Sequence, residues 1–177
     1  MRLFLALVPD SAMKAALLRA AQTLRETAVS GNFTADPALF HVTVAFLGET
    51  SRLRDVQSAM SEIESPPVPL RLSRGGRFRN PGGDIWWCGA GDSPLLGQLA
   101  VRTSEALSRY GFRPETRQFR PHFTLGRQAV LPAGFDSGAF FSAIPPLECQ
   151  VNKLTLMKSE RIGGRLVYTP VASKNLR

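Results

Sequence analysis

Both histidines of this 177-residue chain lie in the same short pattern, a histidine followed two positions later by a threonine. His41 begins the segment HVTV, and His122 begins the segment HFTL. On a β-strand, residues i and i+2 share one face, so each segment presents its histidine and threonine on one side and two apolar residues on the other. The apolar pair suits a core, and the polar pair faces a different environment. The repeated pattern therefore predicts a polar site built from two strands.

Two histidines on facing strands can act as a general base and a general acid, because imidazole titrates near pH 6.5. If the rings lie close together, charge repulsion favours one neutral and one protonated ring. The hydroxyls of Thr43 and Thr124, together with an arginine, can bind the non-bridging oxygens of a phosphate between the rings. In-line displacement at phosphorus needs those groups and no metal. A zinc site is the less favoured alternative, because zinc usually takes three or four protein ligands and neither segment contains a carboxylate.

The charge balance favours an anionic partner. The chain has 22 Lys and Arg residues against 14 Asp and Glu residues, a net charge of +8. Such a balance attracts polyanions over long range, although a solvated arginine-rich surface explains it equally well. The hydrophobic content of 44% indicates a globular protein.

The cysteines and the N-terminus favour a cytoplasmic protein. Cys88 and Cys149 lack C-x-x-C spacing, so we expect reduced, partly buried thiols, with a disulfide between them as the open alternative. The opening MRLFLALVPD has only about 6 consecutive apolar residues and no small-residue cleavage site, so it predicts a strand rather than a signal peptide. No apolar run approaches the roughly 20 residues of a membrane-spanning helix.

Hydrophobic periodicity places the two histidine segments among alternating helices and strands. It predicts helices at residues 11–28, 51–64 and 93–112, and a short helical turn within residues 131–146. It predicts strands at residues 2–8, 39–47, 85–90, 122–128, 148–160 and 165–176, extended pieces at 33–35 and 66–78, and a loop at 113–121. Ile162, Gly163 and Gly164 are expected to form a hairpin turn. Because each half has a helix followed by a histidine strand, the halves are expected to form two lobes whose histidine strands face each other.

Four stretches of the chain resemble one enzyme family. The segments LFHVTVAFLGE and RPETRQFRPHFTLGR carry the two histidine motifs, and MRLFLALVP and LTLMKSERIGGRLVYTPV are similar to the opening strand and the closing hairpin. Together they resemble the 2H phosphoesterase superfamily. More narrowly, they resemble the bacterial and archaeal RNA 2′,3′-cyclic phosphodiesterases, also called 2′-5′ RNA ligases. The resemblance covers nearly the whole chain.

This resemblance implies an α+β fold in a single domain spanning residues 1–177. Two antiparallel-sheet lobes with outer helices, related by a pseudo-two-fold, would enclose a cleft. It implies that His41 protonates the leaving 3′ oxygen and that His122 accepts a proton from water, which gives a 2′-phosphate end. Thr43, Thr124 and Arg127 would bind the phosphate. No metal or other cofactor is implied, and the reverse reaction would be a 2′-5′ ligation.

The implied partner is an RNA with a 2′,3′-cyclic phosphate end, such as a tRNA fragment, or a nucleotide, bound by a monomer with no obligate protein partner. Two departures from the family pattern bear on substrate preference. Gly126 stands where alanine is common, and Lys158 stands where glutamate is frequent. The alternatives are a non-catalytic RNA- or nucleotide-binding module, and a phosphodiesterase for small cyclic nucleotides or ADP-ribose cyclic phosphate.

Several aromatic residues are candidates for stacking a terminal base, because aromatic side chains stack bases in a sequence-tolerant way. They include Phe119 and the neighbours Trp86 and Trp87, of which at most one can reach the cleft because they point to opposite faces of a strand. Phe46 is expected in the core, since simple alternation places it on the apolar side of its strand. Four loop arginines are candidates for the rim of the cleft, with a solvated loop as the equal alternative: Arg77, Arg79, Arg117 and Arg120.

Overall fold

The computed structural model describes residues 1–113, 115 and 117–177 and folds them into strands and helices. Within the predicted loop at 113–121, Pro114 and Thr116 lie outside the described residues. The strands are β1 (Arg2–Leu7), β2 (Ser30–Phe33), β3 (Val42–Glu49), β4 (Val68–Arg71), β5 (Ser73–Phe78), β6 (Asp84–Gly89), β7 (His122–Val130), β8 (Glu148–Val151), β9 (Lys153–Ile162) and β10 (Arg165–Asn175). The helices are α1 (Ser11–Thr27), α2 (Leu53–Ser61), α3 (Pro94–Arg109) and α4 (Ser137–Ser142).

Two four-stranded sheets form the two lobes. One sheet has the strand order β10-β9-β1-β3, the other has the order β2-β7-β6-β5, and β4 and β8 form a separate pair. All of these pairings are antiparallel. The expectation of an α+β fold with two antiparallel-sheet lobes is confirmed. The correspondence between the halves is approximate, because β2 comes from the N-terminal half yet joins the second sheet.

Two helices cross between the lobes. Helix α1 follows β1 of the first sheet but packs against β2 and β7 of the second. Helix α3 follows β6 of the second sheet and packs against β3 of the first. Both helices bury a stripe of apolar residues at helical spacing, which includes Leu17 and Leu24 in α1 and Leu99 and Leu107 in α3. One continuous core therefore joins the two sheets.

The strand predicted at residues 148–160 is two strands. β8 pairs with β4, and β9 pairs with β1 and β10. The break lies at Asn152, whose carbonyl accepts a hydrogen bond from the Leu176 backbone N–H at 2.8 Å. Val151 and Leu154 are both buried although three positions separate them, so the buried face changes at the break. Simple alternation within one strand would not place both in the core.

Both cysteines are free and buried, which confirms the expectation of reduced thiols. Burial raises the pKa of Cys88 to about 11, and its thiol donates a hydrogen bond to the Ser73 carbonyl. In the part of the chain that the structure describes, no helix is long and apolar enough to cross a membrane.

The caps of the two long helices give a test of local stability. The Asp10 carboxylate accepts a hydrogen bond from the Met13 backbone N–H at 2.8 Å, whereas the Ser93 hydroxyl makes no such bond at the start of α3. We expect Asp10→Ala to lower the free energy of unfolding by about 1 kcal/mol, because it leaves an unpaired donor. Ser93→Ala serves as the matched control and should change it little. Urea denaturation of both variants measures the difference, and equal effects would contradict this account of the caps.

Candidate active site

A short 3-10 turn holds His41 just before strand β3, rather than inside the predicted strand. The turn spans Pro37–Leu39, and the Asp36 carboxylate caps it by accepting from the Ala38 N–H at 2.8 Å. The Leu39 carbonyl at the end of this turn accepts a hydrogen bond from His41 Nδ1 at 2.8 Å. The local sequence therefore sets the orientation of the imidazole through its own backbone.

Aromatic rings surround His41 on the cleft side of the first sheet. Its ring centroid lies 4.8 Å from that of Phe4 and 5.0 Å from that of Tyr168, which meets it nearly perpendicularly at 88°. Phe4 and Tyr168 belong to a small apolar cluster with Ala6 and Met157, separate from the main core. The imidazole consequently lies in an environment with little water.

This environment keeps His41 uncharged near neutral pH. Burial lowers the pKa of His41 from 6.5 to about 4, and the positive charge of Arg127 and the charge of His122 act in the same direction. The hydrogen bond to the Leu39 carbonyl opposes the change but does not outweigh it. Desolvation penalises the protonated imidazole, as expected for a buried cation.

His122 is oriented in the same manner in the second sheet. Its Nδ1 donates to the Arg120 carbonyl at 2.7 Å. Pro121 restricts the preceding residue to an extended conformation, and its carbonyl accepts from the Ala90 N–H at 3.2 Å. Burial lowers the pKa of His122, with the charges of Arg127 and Arg120 contributing in the same direction.

Both rings therefore have the same tautomer when neutral, with the proton on Nδ1 and a lone pair on Nε2. His41 Nε2 lies 3.1 Å from the Thr43 hydroxyl, which can donate to it. This contact places the histidine and threonine of the first segment on one face, as strand alternation predicts. Each lobe thus holds an imidazole fixed through Nδ1, and at His41 the Thr43 hydroxyl also contacts Nε2.

Strand β7 contributes the remaining predicted residues. Thr124 lies opposite Trp87 of β6, whose ring centroid is 5.8 Å from that of His122, so Thr124 shares the face of the cleft. Arg127 acts on both imidazoles, because its positive charge disfavours their protonated forms. Strands β3 and β7 also contact each other. The structure therefore brings the predicted residues of both segments to one cleft.

The prediction that Phe46 lies in the core is wrong. Its side chain is 45% exposed, and the Arg2 guanidinium lies 5.1 Å from the centre of its ring. The reason is an irregular register between β1 and β3, in which Phe4 pairs with Phe46 and Ala6 pairs with Thr43. An extra residue of β3 between these pairs reverses its alternation, so Phe46 shares the face of Thr43.

The two tryptophans point to opposite faces, as predicted. Trp86 is buried against Phe135 and Phe141, whereas Trp87 stacks on Phe78 with ring centroids 5.2 Å apart. Phe78 in turn meets His122 edge-on at 5.2 Å. Sequence reasoning missed three residues that contact the histidines: Phe4, Tyr168 and Phe78. The sequence offered one indication of a role for Tyr168, because this residue lies in the closing hairpin that resembles the family.

The expected rim of arginines forms only in part. Arg117 and Arg120 line the cleft, and Arg120 lies 5.9 Å from the ring centre of Phe78. Arg77 lies on the other face of β5, where it pairs with Asp84 at 3.0 Å, so its assignment to the rim is wrong. Arg79 is exposed and follows β5.

The two departures from the family pattern have structural explanations. Lys158 pairs across the sheet with Leu3, on the face away from Phe4, and forms an ion pair with Glu160 at 2.8 Å. Its charge therefore faces away from the cleft. At Gly126, a Cβ atom would lie 2.6 Å from the ring of Phe33, so alanine would displace that ring.

A groove of about 910 Å³ opens beside His122 and Thr43. Its inner end is formed by Thr43 and His122, and its outer walls come from β3, helix α3 and the described residues between 115 and 120. No group of three or more His, Cys, Asp or Glu side chains within residues 1–113, 115 and 117–177 is placed to hold a metal ion.

Comparison with known proteins places these features in one family. The family model described as the 2′-5′ RNA ligase superfamily matches residues 8–163. An RNA 2′,3′-cyclic phosphodiesterase of Archaeoglobus fulgidus is 32% identical over 130 residues, 72% of each chain. The Escherichia coli protein of that name is 30% identical over 139 residues, 74% of this chain and 72% of its own. The crystal structure of E. coli LigT complexed with 3′-AMP superposes with a TM-score of 0.78 at 28% identity and covers 99% of this chain and 97% of LigT.

The burial of His41 predicts a loss of stability in acid. Its pKa is 6.5 when solvated and about 4 when folded, so the unfolded chain binds the extra proton first. The neutral ring's contribution is fully present above pH 6.5 and is lost as the pH falls towards 4, which amounts to about 3 kcal/mol.

We therefore expect the wild-type protein to lose about 3 kcal/mol more unfolding free energy between pH 7 and pH 4 than His41→Asn does. Urea denaturation at both pH values measures this difference. Because the two proteins share every other titrating group, the difference between their losses of unfolding free energy reports on His41. An equal loss in the two proteins would show that His41 is solvated in the folded state.

Proposed function

The chain belongs to the 2′-5′ RNA ligase superfamily, and from that membership we propose that it hydrolyses 2′,3′-cyclic phosphodiester ends of RNA. The observation that carries the proposal is a pair of imidazoles beside Arg127, each of which donates from Nδ1 to a backbone carbonyl and therefore carries its lone pair on Nε2. Relatives named RNA 2′,3′-cyclic phosphodiesterase, from A. fulgidus and E. coli, support it. In this proposal residues 1–177 act as one domain whose two lobes each supply one histidine.

His122 acts as the general base. Its lowered pKa leaves Nε2 unprotonated at neutral pH, so it can accept a proton from a water molecule that attacks phosphorus. The hydrogen bond from Nδ1 to the Arg120 carbonyl holds the ring in the required tautomer and supports the imidazolium that forms. The new bond joins the water oxygen to phosphorus.

His41 acts as the general acid and donates its Nε2 proton to the departing 3′ oxygen. The bond from phosphorus to that oxygen breaks, and the product carries a 2′-phosphate and a 3′-hydroxyl. In the unliganded protein His41 is neutral, because its pKa is about 4. A cyclic phosphodiester carries one negative charge, and binding it beside the ring favours the protonated imidazole. Substrate binding is therefore coupled to proton uptake by His41.

The remaining predicted residues bind the phosphate. Arg127 supplies a positive charge near both rings, and the hydroxyls of Thr43 and Thr124 are placed on the same face as the histidines. Arginine and hydroxyl donors stabilise the charge on the non-bridging oxygens as it increases in the transition state. The chemistry needs no metal or other cofactor. With an RNA 5′-hydroxyl in place of water as the nucleophile, the same groups support 2′-5′ ligation: the 5′ oxygen bonds to phosphorus and the 3′ oxygen leaves with the proton from His41. The partner is an RNA end, and the protein acts as a monomer.

Removal of either histidine tests the mechanism. We expect His41→Ala and His122→Ala each to lower kcat about 10²- to 10⁴-fold on an oligonucleotide with a 2′,3′-cyclic phosphate end, because each removes one proton-transfer step. Activity of the wild-type protein should persist in EDTA, and the product should be the 2′-phosphate. Chromatography against 2′- and 3′-phosphate standards identifies it.

Ser93→Ala, which lies outside the cleft, is the control for this experiment. Full turnover by a double histidine variant would overturn the mechanism. Saturable RNA binding without turnover by the wild-type protein would instead favour a binding module.

The lowered pKa values also predict the pH dependence. The productive free enzyme has His41 protonated and His122 neutral, and kcat/KM reports the free enzyme. Because the pKa of His41 is about 4 and that of His122 lies below 6.5, kcat/KM should be greatest below pH 6.5 and fall about tenfold per pH unit above it. The kcat profile should extend to higher pH, because bound phosphate raises the pKa of His41. A flat kcat/KM between pH 7 and 9 would contradict the assignment of His41 as the acid.

A further inference from the structure

The groove beside His122 and Thr43 continues well beyond these two residues. Thr43 and His122 form its inner end, and it runs outward over the first half of helix α3, past Gly97 and Val101, with Phe119 on the opposite wall. Its volume of about 910 Å³ lies at the upper end of the roughly 300–1,000 Å³ that encloses a drug-sized ligand. It therefore has room for more than the terminal nucleotide.

An RNA with a cyclic phosphate end has all its other nucleotides on the 5′ side of that phosphate. If the phosphate lies between the histidines, the chain must leave through an opening of the cleft. The groove is continuous with the site, so it provides such an exit.

The walls of the groove are suited to the faces of bases rather than to phosphates. Phe46 is 45% exposed and Val101 is 57% exposed, and both line the groove, which is unusual for large apolar side chains. Of its charged wall residues, Glu115 forms an ion pair with Arg117, and Glu105 and Arg120 carry opposite charges, so the wall has no net charge from these side chains. Aromatic faces stack bases of any sequence, and each stacked base contributes binding energy.

The glycine at position 97 of helix α3 leaves space open on the side of the helix that faces the groove. Glycine within a helix is less favourable than alanine by roughly 1 kcal/mol. At this position an added Cβ atom would meet no atom within 4 Å, so packing within the protein does not require glycine here. Gly97 lines the groove, and the absence of a side chain keeps the floor of the groove low.

We propose that this groove binds the nucleotides on the 5′ side of the cyclic phosphate by stacking their bases on Phe46 and Phe119. The protein consequently prefers an oligonucleotide over a mononucleotide 2′,3′-cyclic phosphate. This inference rests on the proposed function, and it names Phe46 and Gly97 as residues that determine the preference for substrate length.

The test compares kcat/KM for a trinucleotide with a 2′,3′-cyclic phosphate end and for the corresponding mononucleotide. The wild-type protein should favour the trinucleotide by roughly tenfold or more, the change expected from one stacked base. Phe46→Ala should remove most of this preference. Val130→Ala is the matched control, because Val130 is also an exposed apolar residue but lies at the far end of β7 from His122.

Substitutions at Gly97 separate binding from folding. Gly97→Ala and Gly97→Leu should both leave the Tm unchanged or raise it, because both residues favour the helix and a Cβ atom at this position meets no atom within 4 Å. The preference for the trinucleotide should nevertheless fall, and fall further with leucine than with alanine, because the larger side chain occupies more of the groove.

The outcomes distinguish this inference from the proposed function. If the wild-type protein turns over neither substrate, the proposed function fails. If it turns over both with equal kcat/KM, or if Phe46→Ala and Gly97→Leu lower both values by the same factor, the proposed function stands and the groove does not bind the upstream nucleotides.

Discussion

The cleft depends on holding two imidazoles uncharged while a guanidinium lies beside them. Charge repulsion from Arg127 and burial both disfavour the protonated rings, and burial is the larger effect on His41 and on His122. The carbonyls of Leu39 and Arg120 accept from the Nδ1 atoms, so each lone pair is on Nε2 and each ring has a defined orientation. A phosphate placed between the rings would favour the protonated imidazole, because its negative charge stabilises the cation that burial and Arg127 disfavour in the empty cleft. Under the proposed function, anion binding and protonation of His41 are therefore coupled.

The aromatic cluster beneath His41 explains why burial lowers the pKa of this residue strongly. Phe4 and Tyr168 pack against the ring, and Ala6 and Met157 complete an apolar surface that is separate from the main core. The first sheet is therefore apolar on both faces at this point. One face packs against the main core, and the other withholds water from the imidazole.

Helices α1 and α3 each pack against the sheet of the other lobe, and this packing fixes the position of the two histidines relative to each other. Helix α1 packs against the sheet that carries His122, although it follows the first strand of the other sheet, and α3 contacts the strand that follows His41. Relative movement of the sheets would therefore disrupt helix packing in both lobes. The outward face of α3 remains free to form the floor of the groove, so one helix both connects the lobes and shapes the path away from the site.

The sequence by itself determined the elements of this protein and its candidate reacting groups. Helical periodicity and strand alternation are local properties, so they located the helices, most strands and the pairing of His41 with Thr43 on one face. The tertiary structure decided which faces meet. An irregular register in β3 moved Phe46 from the expected core into the groove, and the break at Asn152 divided one expected strand into two, because register depends on the partner strand. The low pKa of His41 likewise required Tyr168, which is distant in sequence, since desolvation arises only when separate segments pack around one ring.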